Sequence, residues 1–122
     1  MIKGYFDGSV PLINILVVWG QATQAPSVVL DTGFTGDLQV TPQLARELGL
    51  NAGSVTKMKV ADGRVIDVPM AFAFVSMEGV KKYVQVLISE GSTLVGISLL
   101  SSFQYKAIVD CRYKTVVLEK SE

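Results

Sequence analysis

The chain contains no histidine and one cysteine. The first absence removes the Ser-His-Asp triad, the Cys-His dyad, the paired-histidine zinc helix and any imidazole acid–base. The second removes an intrachain disulfide and every multi-cysteine zinc site. The lone thiol, Cys111, is expected to be buried, as free cysteines commonly are. Charge of one sign is also missing. Eleven basic and eleven acidic side chains cancel, leaving no overall field to attract nucleic acid or an anionic membrane. Apolar runs such as Ile15 to Trp19 fall far short of the roughly 20 residues that span a bilayer. The opening Met1-Ile2-Lys3-Gly4-Tyr5-Phe6-Asp7 has no apolar core of signal-peptide length. A cytoplasmic protein with a reduced thiol is therefore expected, without nucleic-acid or membrane partners. Chemistry is left to carboxylates, lysine, tyrosine, hydroxyls, the one thiol or a bound cofactor.

What remains is ample for a core. Of the 122 residues, 49% are hydrophobic and 18% charged, too apolar a mixture for disorder. No linker or low-complexity tract interrupts the chain, so residues 1–122 are expected to form a single domain. Short β-branched and aromatic runs separated by turn residues predict an all-β fold. Strands are expected at Ile2–Phe6, Leu12–Trp19, Ser27–Leu30 and Asp37–Val40, with a polar loop from Gly20 to Pro26. Met58–Val60 and Arg64–Val68 flank Ala61-Asp62-Gly63, a strong hairpin signal. Ala71–Met77 and Tyr83–Ile88 predict a second hairpin across Glu78–Lys82, and Ala107–Val109 with Thr115–Leu118 a third around Asp110–Lys114.

Two short helices break the pattern. Thr41 to Leu50 carries a capping threonine, a proline suited to the first helical position, and Leu44 and Leu48 one turn apart. Gly49 is placed for a left-handed stop with Leu50 folding back. The second helix, about Ser98 to Phe103, sets Leu99, Leu100 and Phe103 on one side.

One segment does not read as scaffold. Val28-Val29-Leu30 runs straight into Asp31-Thr32-Gly33, and a carboxylate at the end of a buried strand is costly unless it is hydrogen-bonded or used. Gly33 and Gly36 allow a sharp turn, so the carboxylate could hold a water nucleophile. Taken alone, the short tripeptide favours an ordinary Asx turn in which Asp31 only satisfies local N–H groups. Among the other acids, Asp110 reads as a hairpin-end residue and Asp62 and Asp7 as turn residues. Asp37, Asp67 and the glutamates read as solvated faces.

The wider context carries a resemblance. Val29-Leu30-Asp31-Thr32-Gly33-Phe34-Thr35-Gly36, followed by a strand and a helix ending Leu48-Gly49-Leu50, resembles the aspartic proteases of the retroviral type and their single-domain bacterial relatives. Downstream, Thr93-Leu94-Val95-Gly96-Ile97-Ser98-Leu99-Leu100 resembles the family's apolar-apolar-Gly signature before a short helix. The resemblance spans nearly the whole chain in order. It implies a retropepsin-like barrel with two short helices, one half of a two-fold symmetric aspartic endopeptidase that uses no metal and no cofactor.

That chemistry needs two carboxylates about one water, one ionised as base and one protonated as donor, sharing a proton. One Asp-Thr-Gly supplies half of the pair. The family logic therefore implies a homodimer with Asp31 from each copy on the axis, acting on a polypeptide. By the same resemblance, Thr32 bonds across the axis, Gly33 gives the turn and an N–H, and Leu94-Val95-Gly96 packs against the Asp31 loop. Val60, Ala61, Asp62, Gly63 and Arg64 would form the flap over an extended substrate. Most retroviral members carry alanine or serine at the position of Phe34. This departure keeps a second reading open, a weakly active or inactive dimeric peptide-binding module on the same fold. A small β-barrel with no groove chemistry is the third.

Overall fold

The computed structural model describes residues 1–122. Twelve strands join in one continuous sheet: β1 (Ile2–Asp7), β2 (Val10–Asn14), β3 (Leu16–Trp19), β4 (Ala22–Gln24), β5 (Ser27–Leu30), β6 (Leu38–Val40), β7 (Ser54–Lys59), β8 (Val65–Met77), β9 (Val80–Ile88), β10 (Leu94–Val95), β11 (Tyr105–Asp110) and β12 (Thr115–Lys120). Two helices interrupt them, α1 (Pro42–Leu48) and α2 (Ile97–Ser102). The spatial order is β11-β12-β1-β2-β5-β10-β6-β9-β8-β3-β4, with β7 paired to β8 alone. Strand β5 therefore lies well inside the sheet, as its two apolar faces require. Neither helix is long and apolar enough to cross a membrane.

Alternation along the strands builds the core. On β8, Ala71, Ala73, Val75 and Met77 are buried, while Phe72, Phe74 and Ser76 face away. Val84 and Val86 of β9, Val28 and Leu30 of β5, and Leu38 and Val40 of β6 join the same cluster. Helix α1 adds Ala45 and Leu48, and α2 adds Leu99 and Leu100. The α1 punctuation works as its residues dictate. The Leu44 N–H donates to Thr41 Oγ1 at 3.1 Å, a cap worth about 1 kcal/mol. Gly49 sits at φ 72°, and Leu50 N–H reaches back to the Ala45 carbonyl at 2.9 Å.

The sequence reading of the connections needs correction in several places. The expected strand Leu12–Trp19 breaks at Ile15, where the chain leaves the β1 and β5 partners of β2 for the β8 and β4 partners of β3. Ile15 itself is buried, so the corner is invisible to apolar patterning. The expected loop Gly20–Pro26 contains β4, since a tight turn at Gly20-Gln21 pairs Trp19 with Ala22. The expected strands Arg64–Val68 and Ala71–Met77 are one strand, β8, which starts at Val65 and leaves Arg64 in the turn. Pro69 is tolerated there because that stretch of β8 has only β7 beside it. The connection expected at Glu78–Lys82 shrinks to Glu78-Gly79, both at positive φ, and the lysines join β9. Cys111 is exposed in the β11–β12 turn rather than buried. Asp110 organises that turn through Oδ1, accepting from Arg112 N–H at 3.0 Å and Tyr113 N–H at 2.9 Å.

One acidic residue ties the β8–β9 turn to the rest of the barrel. Glu78 contacts the Met1 ammonium and accepts from the Tyr105 hydroxyl at 2.7 Å. The ammonium, then the hydroxyl, hold its carboxyl below the ordinary value of 4.5. Burial and the neighbouring carboxylate push Tyr105 up. A depressed carboxylate stabilises the fold above its unfolded pKa and loses that contribution as pH falls through the folded one. Glu78→Gln is therefore expected to lower the melting temperature at pH 7. Melting curves recorded downward from pH 5 should show the gap to wild type closing below about pH 4.5, the ordinary carboxylate value.

Candidate active site

Strand β5 delivers Asp31 to a loop that two neighbouring segments hold in place. Its last ladder bond runs from Asp31 N–H to the Val95 carbonyl at 3.0 Å, continuing the parallel pairing of Leu30 with Val95. The chain then turns on the aspartate. Gly33 N–H donates to Asp31 Oδ1 at 3.0 Å, and Phe34 N–H to the Asp31 carbonyl at 3.1 Å. This is the Asx turn that the tripeptide alone suggests. It engages one carboxylate oxygen, and the side chain stays half-buried.

Two further backbone bonds rivet the loop to the segment after β10. Ile97 N–H donates to the Phe34 carbonyl at 2.9 Å, and Gly96 N–H to the Asp37 carbonyl at 3.1 Å. Close approach makes glycine obligatory at 96. A Cβ there would clash with the Phe34 carbonyl oxygen and lie 2.5 Å from the Gly36 carbonyl oxygen and 2.7 Å from Phe34 Cδ2. The structure thus brings Asp31, Thr32 and Gly33 together with Leu94, Val95 and Gly96. Val95 is fully buried between Leu30 and Leu38.

Asp37 departs from the sequence reading. It is a half-buried anchor rather than a solvated face, with Oδ2 accepting from Gln85 N–H at 3.1 Å. Its place between Gly36 and the first residue of β6 is the signal that marks it. Asp67 is a solvated residue, paired with Lys57 at 2.7 Å on the exposed side of the β7–β8 hairpin.

Val60 to Arg64 form the hairpin tip. Val60 N–H bonds the Arg64 carbonyl at 2.9 Å, and Asp62 accepts from Arg64 N–H at 3.0 Å and from its Nε at 2.7 Å. None of these five residues lines the cleft beside the Asp31 loop. That cleft, about 270 Å³, lies between Gly33–Gly36 and the β7 stretch Thr56–Lys59, with Gln85 and Leu87 of β9. Alternation on β7 leaves Thr56 and Met58 half-buried and Lys57 and Lys59 exposed. Thr56, Met58, Gln85 and Leu87 are thus lining residues missed in the sequence, where only the Asp-Gly tip stands out. Thr32 is exposed on another side of the loop. It borders an open hollow of about 700 Å³ with Ile97, Leu100, Tyr105 and Ala107. No three acidic or cysteine side chains gather closely enough to hold a metal ion.

No family model matches the sequence, and no curated protein does. Solved structures do match. A retropepsin-like aspartic protease from Rickettsia conorii superposes with a TM-score of 0.68 at 20% identity, over 97% of this chain and 88% of that one. The EIAV protease, in complex with the inhibitor HBY-793, gives a TM-score of 0.66 at 17% identity, over 86% of this chain and 98% of that one. The fold is retropepsin-like. The all-β barrel with two short helices expected from the sequence is therefore the one the chain adopts. Within this retropepsin-like chain, Gly96 is the point of least tolerance. Gly96→Ala drives a methyl group into backbone oxygens, and is expected to cost about 1–3 kcal/mol, the scale of core overpacking. Urea unfolding of the variant beside wild type measures it.

Proposed function

We propose that the chain is an aspartic endopeptidase whose working unit is a homodimer, built from one 1–122 domain per copy. The observation that carries this reading is Asp31 in its Gly96-clamped loop, on a retropepsin-like fold, with a single Asp-Thr-Gly per chain. Two copies related by a two-fold axis would bring two Asp31 side chains to one water. One carboxylate takes a proton from the water as the oxygen attacks the peptide carbonyl; the protonated partner donates to the carbonyl oxygen. The tetrahedral intermediate then expels the amine. A proton passes to its nitrogen, leaving a carboxylic acid and an amine with the pair again holding one proton.

The remaining residues take roles consistent with their placement. Thr32, exposed beside the loop, is available to bond the partner copy, and Gly33 fixes one oxygen of Asp31. The β7–β8 hairpin, with Val60–Arg64 at its tip, would close over an extended substrate that pairs with it through backbone bonds. Phe34 cannot donate to the carboxylate, so the hydrogen bonding of Asp31 rests on the Gly33 N–H and the backbone clamp.

Asp31→Asn is expected to reduce cleavage of an unfolded protein by about 10²–10⁴-fold, the range for losing an acid–base group, without loss of the dimer. Cleavage measured from about pH 4 to pH 7, where a carboxylate pair can work, with sizing of both proteins at assay concentration, tests this. Undiminished cleavage by the variant would refute the mechanism. A well-formed wild-type dimer that cleaves nothing would favour the peptide-binding module.

A further inference from the structure

Phe34 occupies a position where a small residue would suffice to complete the Asp31 turn, yet its ring is packed into the tightest part of the loop. A Cβ on Gly36 would lie 2.6 Å from Phe34 Cζ and 2.8 Å from Cε1. A Cβ on Gly96 would lie 2.7 Å from Cδ2 of the same ring. The ring thus covers the bare faces of two glycines at once, one inside the loop and one on the segment that clamps it. Its own backbone is pinned at both polar groups, N–H to the Asp31 carbonyl at 3.1 Å and carbonyl to Ile97 N–H at 2.9 Å. Phe34 also lines the 270 Å³ cleft, together with the half-buried Met58 of β7.

We propose that Phe34 is a positioning residue: its ring, interlocked with Gly36 and Gly96, sets the placement of the Asp31 carboxylate and at the same time bounds the substrate subsite beside it. The inference rests on the proteolytic reading of Asp31. The physical argument is one of space. Two glycines bring their backbones close enough to leave no room for side chains of their own, and a ring laid across them replaces the missing contacts. Removing the ring frees the loop to shift against Gly96 and opens the cleft. A displacement of about 1 Å at a reacting group is enough for a loss of about 100-fold in rate.

Four variants test this: Phe34→Ala, Phe34→Leu, Gly36→Ala, and Phe34→Ala combined with Gly36→Ala. Thermal unfolding and peptide cleavage are read for each. Gly36→Ala should lower the melting temperature sharply beside Phe34 and much less beside Ala at 34, the coupling expected of groups in contact. Phe34→Ala should lower kcat on the order of 10- to 100-fold and shift cleavage of a peptide panel toward larger side chains. Phe34→Leu, which refills most of the space, should restore most of kcat. A role in stability alone would leave the side-chain preference where it was. Equal effects of Gly36→Ala in both backgrounds, or unchanged kcat and preference in Phe34→Ala, would overturn the proposal while leaving the proteolytic reading intact. A wild type that cleaves none of the peptides defeats that reading, and the positioning role with it; the thermal coupling still decides whether the ring is the lock.

Discussion

The architecture around Asp31 depends on a side chain that is absent. Because Gly96 has no Cβ, the segment after β10 can lie directly on the backbone of residues 34 to 36. That contact lets three backbone hydrogen bonds form between the loop and residues 95 to 97. Each bond is worth only about 1 kcal/mol net, but together they cross-link two segments that are far apart in sequence. The backbone of the aspartate is thereby held by the sheet as well as by its own short turn. Its backbone placement is a property of the fold.

The same region explains why the sheet takes its unusual course. Strand β10 has only two residues, yet it pairs parallel with β5 and antiparallel with β6. A strand so short cannot sustain itself by its own ladder, and it persists because Val95 is buried between Leu30 and Leu38. Asp37 adds a polar stitch from the loop to β9 through Gln85. Packing and hydrogen bonding thus converge on residues 28–40 and 93–97, where the chain carries its two recognisable motifs.

Much of this was legible in the sequence, for reasons that differ from residue to residue. Val28-Val29-Leu30 announces a central strand because both its faces are apolar. Thr41-Pro42 and Gly49-Leu50 announce a helix because each residue type satisfies a specific end requirement. Asp31 and Gly96 are recognisable as a pair only through family resemblance, since nothing in their spacing says that their loops touch. Other features left no local trace. Ile15 turns the chain while remaining buried, and Pro69 sits inside a strand because one side of that strand is empty. The walls of the cleft depend on which face of β7 turns toward the loop, and that is fixed by tertiary pairing. Cys111 is exposed because its turn is organised by Asp110, a context that average thiol behaviour does not capture.

The pairing of β8 divides the molecule into two mechanical regimes. From Met70 onward the strand runs beside β9, and further along beside β3 as well; before Met70 it has β7 alone. A two-stranded ribbon is marginal in water by itself, so residues 54 to 70 belong to the low-stability end of the protein's opening equilibria. The cost of lifting that ribbon is then largely independent of the free energy that keeps the barrel folded. Mutations that strengthen or weaken the core can accumulate without changing how readily the ribbon lifts, and the ribbon can change its opening rate without endangering the fold.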